Sequence, residues 1–220
     1  MNVESLLAES GEARTSLLII EDRGPKEIVV GVPHHAPMGT KKLPCPQHEV
    51  SDENAGYLGR QLAEDLNCCS IIACNYTMDV NKLPHSDYFM QIATWKPAVL
   101  VEIHGHKGTK EIGGNAYYHI EISSGSTSNQ QSKKLAERIK EVWNDDPELK
   151  EFSISGDYDA IHFTASKSVT INGAPWLAYH IELPPALRIQ EGTEKPPEVG
   201  YRFCKILENV LKEFHLRNAP

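Results

Sequence analysis

The sequence lacks any hydrophobic run of the roughly 20 residues that a membrane-spanning helix needs. Its first ten residues include Glu4 and Glu9 and no basic segment, so we expect no secretory signal peptide. Basic residues are outnumbered by acidic ones, and the formal net charge of -8 argues against nucleic acid or an anionic membrane as the main partner. A few local cations could still bind an anionic small substrate. These absences favour a cytoplasmic protein that acts on a small molecule.

Cysteine is also scarce. There are 5 cysteines, an odd number, and no CxxC pair. Cys68, Cys69, Cys74 and Cys204 fall in apolar or helical patterns, which is typical of buried reduced thiols in a cytoplasmic protein. Cys45 lies between two prolines, and we expect it to be exposed in a loop.

What is present is the ordinary composition of a globular chain, with 40% hydrophobic and 24% charged residues in 220 residues. This length predicts one domain, spanning residues 1–220. Apolar runs alternate with amphipathic segments, which predicts an α/β fold with three α/β/α layers and a central mixed sheet. Strands are predicted at 16–21, 26–32, 68–74, 115–123, 152–154, 168–171 and 176–183, and a central strand is predicted to start at Val99 and to end in His104-Gly105-His106. Helices are predicted at 51–66, 86–95, 130–143 and 198–216.

Three of the apolar runs carry polar residues at their ends. Open α/β sheets bind ligands beyond the carboxyl ends of their strands, so these residues are candidates for one shared site. Catalytic zinc typically takes three protein ligands from His, Asp or Glu. The sequence has no HxxH or HExxH clamp, so spacing alone does not choose the ligands. The candidate set is one of His34 and His35, one of Asp52 and Glu53, and His104.

Two further segments suggest roles around such a metal. Glu182, between Ile181 and Leu183, is either a salt-bridged structural acid or a general base with a raised pKa. Asn81 and Lys82 follow a buried strand, where they form either a solvated turn or a clamp for a substrate carboxylate. Other histidines lack such surroundings and are interpreted as ordinary polar residues: His85, His119, His162 and His215.

Several of these segments, in order, resemble the N-formylglutamate amidohydrolase family, which is distantly similar to zinc carboxypeptidases. The similar motifs are Pro33-His34-His35-Ala36, His48 to Asp52 followed by a helix with Leu62-Ala63, the segment Tyr76 to Lys82, Ile103-His104-Gly105 and Ile181-Glu182. The similarity spans residues 28–106 and 176–188, and nothing between them is recognisable.

The resemblance implies a phosphorylase/hydrolase-like fold, one zinc ion and hydrolysis of an amide bond in a small N-acyl amino acid or peptide end. By this analogy His34 or His35, Asp52 or Glu53, and His104 would hold the zinc. Glu182 would be the general base, and Asn81 with Lys82 would bind the substrate carboxylate. Arg188 and His106 are the candidates for stabilising the oxyanion.

The sequence departs from the family at two of these motifs. Lys82 stands where the family has arginine, and lysine cannot make the planar two-pronged contact with a carboxylate. Gly105 replaces a serine. A different hydrolase target therefore stays open, and so does a catalytically silent domain that binds a ligand or a partner on the same scaffold.

Overall fold

A computed structural model describes residues 2–12, 16–108, 116–144 and 146–216. In these ranges an eight-stranded mixed sheet lies between two helical layers, which confirms the three-layer α/β/α prediction. The strands are β1 (Leu17–Glu21), β2 (Ile28–Ala36), β3 (Asp52–Glu53), β4 (Cys69–Cys74), β5 (Val99–Gly105), β6 (His119–Ser123), β7 (Ser153–Ser155) and β8 (Leu177–Leu183). The helices are α1 (Val3–Glu9), α2 (Ala55–Leu66), α3 (Asp87–Trp95), α4 (Asn129–Trp143), α5 (Val169–Asn172), α6 (Pro185–Arg188) and α7 (Glu198–His215). None of the described helices is long and apolar enough to cross a membrane.

The sheet has the strand order β1-β4-β2-β5-β8-β6-β7, with β3 paired to β2. The four central strands β4, β2, β5 and β8 are parallel. β1 is antiparallel to β4 and β6 is antiparallel to β8, whereas the edge strand β7 pairs with β6 in parallel. Strands covered on both faces read as nearly continuous apolar runs, and all seven residues of β5 are buried. β1 and β2 flank a turn in the sequence, but β4 lies between them in the sheet.

The two helical layers cover the sheet unequally. Helices α2, α4 and α7 pack on one face in the larger core, while α3 and α5 pack on the other in a smaller one. On the α3 face, Leu100 of β5 and Ala178 of β8 join the smaller core. Because side chains alternate along a strand, the next residues on this face are Glu102 and His180, which are polar. The apolar cover therefore ends midway along the strands, and a polar cleft lies beyond it.

Two predicted strands are corrected by the structure. Residues 168–171 were expected to form a strand, but Val169–Asn172 is the helix α5, and Ile171 packs into the smaller core. The strand predicted from Asn115 begins at His119, after a 3-10 turn over Ala116–Tyr118. Asn115 itself lies outside the described residues.

The helix predicted to open at Ser51 begins at Ala55 instead, after Asn54 in the left-handed region with a φ of 63°. The Ser51 hydroxyl donates to the Thr40 carbonyl and does not cap the helix. Asp52 pairs with His35 as a strand residue. Asp52, which falls in the first turn of the predicted helix, is therefore buried in the sheet, at the end where the histidines lie.

Cys45 is buried, at 2% exposure, contrary to the exposed loop position expected from its flanking prolines. Its thiol lies 3.5 Å from the side-chain oxygen of Gln47 and is shielded from solvent. Cys68, Cys69, Cys74 and Cys204 are buried free thiols, as predicted.

Candidate metal centre

A bulge in β2 decides which of the two adjacent histidines faces the cleft. Between Val32 and His35 the pairing of β2 with β4 shifts by one residue. The shift falls at Pro33, which has no N–H for the ladder and is tolerated in a sheet mainly at such irregularities. Val32 packs in the larger core, and regular alternation would place His34 on that same side. The extra residue instead brings His34 to the cleft face.

Three buried side chains from different strands meet there. His34 comes from β2, Asp52 from β3 and His104 from β5. Asp52 Oδ2 lies 3.6 Å from His34 Nδ1 and 3.4 Å from His104 Nδ1. His34 Nδ1 and Asp52 Oδ2 are buried atoms with no hydrogen-bond partner among the described residues. Buried polar atoms are normally satisfied, so this arrangement calls for a further binding partner.

The spacing of these atoms fits a tetrahedral zinc ion. Zinc binds histidine nitrogen and carboxylate oxygen at about 2.1 Å, which separates neighbouring tetrahedral ligands by about 3.4 Å. The two distances at Asp52 Oδ2, 3.6 and 3.4 Å, are long for hydrogen bonds but match this separation. Two histidines with one carboxylate are also a donor set that catalytic zinc uses. The residues therefore fit the metal that the resemblance implies.

Each of the two histidines has a second carboxylate on its other nitrogen. His34 Nε2 lies 3.0 Å from Asp79 Oδ1, and His104 Nε2 lies 3.4 Å from Glu102 Oε2. Such outer partners fix the ring orientation and the tautomer of metal-binding histidines. A proton on each Nε2 leaves Nδ1 free to bind a metal. The buried Tyr88 hydroxyl donates to Glu102 Oε1 at 3.0 Å and holds that carboxylate in turn.

The alternatives from the sequence lie elsewhere. His35 points to the opposite side of the sheet, where Nδ1 accepts from the Gly56 N–H at 3.1 Å and Nε2 lies 3.3 Å from the Leu7 carbonyl. Both of its nitrogens are thus occupied by backbone. Glu53 Oε1 accepts from the Gly39 N–H at 2.8 Å, in the loop outside the group. The structure brings neither residue to the three-residue group.

Glu182 lies beside the group, and its partner is a histidine that sequence reasoning missed. Glu182 is the register neighbour of His104 across β5 and β8, so the two side chains share a face. His180 Nε2 lies 3.0 Å from Glu182 Oε1, while Oε2 has no partner among the described residues. His180 and Glu182 are two residues apart, and so are Glu102 and His104. This repeated spacing is the sequence signal that could have identified both histidine–glutamate contacts.

The charges of these residues are mutually dependent. Burial lowers the pKa of His104, but Asp52 and Glu102 outweigh this effect and raise that pKa to about 10. Burial raises the pKa of Asp52, but the two imidazoles outweigh it and hold that pKa far below its usual value. Burial also raises the pKa of Glu182, but His180 outweighs it, so the net shift is downward. Glu182 is thus a carboxylate at neutral pH and does not have the raised pKa considered from the sequence.

Asn81 and Lys82 line the cleft next to this group. Lys82 Nζ pairs with Asp79 Oδ2 at 2.5 Å and remains about one-third exposed. Asn81 is buried, and its side-chain oxygen has no partner among the described residues. One cation and one amide therefore stand together at the cleft, near the metal-type group.

Arg188 and His106 both bind backbone groups of the surrounding loops and strand ends. Arg188 is buried, and its guanidinium donates to the carbonyls of Leu183, Glu53 and His106, at the ends of three strands. His106 Nε2 lies 2.7 Å from the His119 carbonyl, and its Nδ1 accepts from the Gly108 N–H. These contacts make Arg188 a structural clamp, and the substrate-binding or oxyanion role expected from the sequence stays a prediction.

The cleft itself has a volume of about 440 Å³, which is within the range of small-molecule sites. His34, His104, His180 and Glu182 lie on one side of it. Residues 162–168, which we call the cleft wall, line another side. His48 lies at the cleft, stacked on His34 with ring centroids 3.7 Å apart. Two other groups of metal-type ligands overlap the first: His34, His48 and Asp79; and Glu102, His104 and His180.

The fold and the site together define a three-layer α/β/α protein with a metal-type donor set at the carboxyl ends of its parallel strands. Solved structures of the same fold include a bacteriophage poly-gamma-glutamate hydrolase, with a TM-score of 0.60 and 11% identity over 90% of this chain and 89% of that one. An N-formylglutamate amidohydrolase from Ralstonia eutropha JMP134 has a TM-score of 0.56 and 12% identity over 92% and 99% of the two chains. A metallo-carboxypeptidase from Burkholderia cenocepacia has a TM-score of 0.51 and 10% identity over 97% and 68%.

These similarities confirm the phosphorylase/hydrolase-like fold that the resemblance implies. No family model matches the sequence, and no curated protein is similar to it. At identities of 10–12% the structural likeness shows the fold alone. The function must be argued from the side chains of the cleft.

Proposed function

We propose that this protein is a zinc-dependent hydrolase that cleaves an amide bond in a small N-acyl amino acid or peptide end. The observation that carries the proposal is the convergence of His34 Nδ1, Asp52 Oδ2 and His104 Nδ1 at the spacing of tetrahedral zinc ligands. Structural neighbours described as an N-formylglutamate amidohydrolase and a metallo-carboxypeptidase add support for this class of reaction.

A zinc ion held by these three residues would supply polarisation of the scissile carbonyl and activation of a water at neutral pH. The remaining steps fall to the chain's own groups. Glu182 is ionised and has Oε2 unpaired beside the group, so Oε2 can take a proton from the attacking water. The same oxygen can then return that proton to the leaving nitrogen. His180 holds Oε1 and thereby keeps Oε2 turned away from it.

The substrate is proposed to carry a carboxylate. Lys82 supplies the positive charge for it and Asn81 the amide. Lys82 also pairs with Asp79, which bonds His34, so the substrate-binding residues are connected to the proposed metal ligands. A lysine makes a point contact with a carboxylate, whereas an arginine would make a two-pronged one. Carboxylates of different geometry should therefore be accepted here.

Elemental analysis of the purified protein tests the metal. We expect about one zinc per chain in the wild type, and its loss in His34→Ala and in His104→Ala. His162→Ala is the matched control, because this exposed histidine lies on the cleft wall outside the three-residue group. It should keep its zinc. Absence of zinc from all four proteins after zinc is supplied would favour the silent binding domain instead.

Hydrolysis of a panel of N-acyl amino acids tests the reaction. Glu182→Gln should keep the fold and the zinc but lose turnover by roughly a hundredfold or more, because the amide cannot take the water proton. Undiminished turnover in this variant would remove Glu182 from the mechanism. Substrates with the carboxylate replaced by an amide separate a carboxylate-dependent hydrolase from one with another target.

A further inference from the structure

Glu121 is a buried carboxylate that the proposed reaction does not use. It lies on β6 at 1% exposure. In the described part of the chain no lysine or arginine pairs with it, and the His119 imidazole lies 3.7 Å away through Nε2. Burial of a polar group is costly unless hydrogen bonds satisfy it. The bonds that Glu121 makes therefore identify its role.

Those bonds go to the backbone of the cleft wall. The N–H of His162 donates to both oxygens of Glu121, at 3.0 and 2.9 Å, and the N–H of Phe163 donates at 2.7 Å. Both oxygens of Glu121 act as acceptors, and neither backbone N–H is left unsatisfied. Glu121 thus binds two consecutive backbone amides at the start of the wall.

Further side chains hold the wall along its length. The Ser123 hydroxyl, also on β6, donates to the Thr164 carbonyl at 2.7 Å. The Asn172 amide donates to the Ala165 carbonyl at 2.7 Å. Ala165 has a φ of 54°, in the left-handed region that disfavours residues with a Cβ. The hydrogen bonds around Ala165 compensate for a conformation that the free segment would not prefer.

The register of the sheet links these anchors to the reactive residues. Glu121 pairs with Glu182, and Ser123 pairs with His180, across β6 and β8. The same face of the sheet therefore carries the proposed base on one strand and the wall anchors on the next. The pairing of β6 with β8 therefore fixes the distance between Glu182 and the residues that anchor the wall. Because the two strands are hydrogen-bonded neighbours, this distance is rigid.

We propose that the cleft wall, residues 162–168, is the specificity-determining surface of the cleft, and that Glu121 is the positioning residue that holds it. The wall carries an aromatic ring at Phe163, a hydroxyl at Ser166 and a cation at Lys167, and all three residues line the cleft. The proposal that this wall selects substrates rests on the proposed function. The proposal that Glu121 holds the wall is independent of the proposed function, and it can be tested without measuring turnover.

Hydrogen exchange of the full-length protein tests the anchor. Glu121→Gln replaces one accepting oxygen by an NH₂ group that faces backbone N–H groups. The amides of His162 and Phe163 should exchange roughly tenfold faster or more, while those of β5 keep their protection. Glu208→Gln is the matched control, because Glu208 is equally buried but lies on α7 and bonds Lys205 and Lys212. It should leave the wall unchanged.

A second variant covers the case in which Glu121→Gln does not fold. Asn172 is exposed, so Asn172→Ala should fold, and it removes the donor to the Ala165 carbonyl. Its wall amides should also exchange faster, by a smaller factor. Unchanged exchange in Glu121→Gln, or in Asn172→Ala where the first variant does not fold, would overturn the anchoring. Loss of zinc from Glu121→Gln would overturn it too, by assigning Glu121 to the metal site.

The selection of substrates by the cleft wall is tested by measuring the binding and the turnover of N-acetylglutamate. Glu121→Gln should weaken binding and raise KM severalfold while kcat stays within about twofold, because the metal ligands and the base are untouched. Fast exchange with unchanged binding and KM would overturn the selecting role of the wall. A wild type that neither binds nor cleaves any N-acyl amino acid or small peptide would refute the proposed function and with it the selection, while the exchange comparison would still decide the anchor.

Discussion

Zinc and protons should compete for the same atom, His104 Nδ1. In the metal-free protein the pKa of His104 is about 10, because Asp52 and Glu102 outweigh the effect of burial. The imidazole is therefore protonated at neutral pH, and Nδ1 carries a hydrogen where a metal would bind. A zinc ion bound at Nδ1 would displace this proton and release it to solvent.

The expected magnitude follows from that pKa. Below the pKa of a ligand, each pH unit changes the deprotonated fraction about tenfold, or roughly 1.4 kcal/mol. The apparent zinc affinity should therefore rise about a hundredfold between pH 7 and 9. A histidine with the ordinary pKa of about 6.5 would give almost no rise over this interval. The pKa of His34 is also raised, by Asp52 and Asp79 against burial, which steepens the dependence while that group is still protonated.

Competition with a chelator of known affinity, corrected for the chelator's own protonation, measures this dependence. An affinity that is flat between pH 7 and 9 would refute the reasoning, because it would show that Nδ1 is already free at neutral pH. The stability of the metal-free protein gives an independent check. Because the folded pKa of His104 lies above the unfolded one, its contribution is complete below about pH 6.5 and is lost as pH rises through about 10.

Three further predictions concern single residues. Glu102→Gln should lower zinc affinity by about 10- to 100-fold, measured by the same competition, because it removes the carboxylate that orients His104; unchanged affinity would contradict this role. Lys82→Ala should raise KM for carboxylate substrates while an amide-capped analogue is unaffected, and equal effects on both would exclude a carboxylate clamp. Arg188→Lys should lower the free energy of unfolding by about 3 kcal/mol in denaturant titrations, since a single ammonium nitrogen cannot occupy the positions of the three guanidinium nitrogens that donate to these carbonyls; retained stability would refute the structural clamp.

The fold could be predicted from the sequence because its signals are local. The central parallel strands are buried on both faces, and their apolar runs are visible in the chain, as in the stretch ending at His104. The helices α3, α4 and α7 begin within a residue of their predicted starts. The strand order could not be predicted, because the insertion of β4 between β1 and β2 depends on contacts between distant segments.

The site was predicted only in outline. His104, Glu182 and the Asn81–Lys82 segment line the cleft, because the end of a buried strand is readable from sequence. The backbone contacts of Arg188 could not be predicted, because an arginine after a strand end has the same appearance whether it faces a substrate or the backbone. Glu121 gave no signal, because its partners are backbone amides some 40 residues later in the chain.

The choice between His34 and His35 shows why the ligands of such a site cannot be assigned without the structure. Gly31 faces the α3 layer, where its missing side chain leaves space for Tyr88. In a regular strand every second residue after Gly31 would face the same side. That count selects His35. The bulge at Pro33 adds one residue and reverses the parity, so His34 reaches Asp52 and His104 while His35 is bonded by Gly56 on the other side. A single proline in a central strand thus determines which imidazole can serve as a ligand, and it does so through the pairing with β4, which no local pattern reveals.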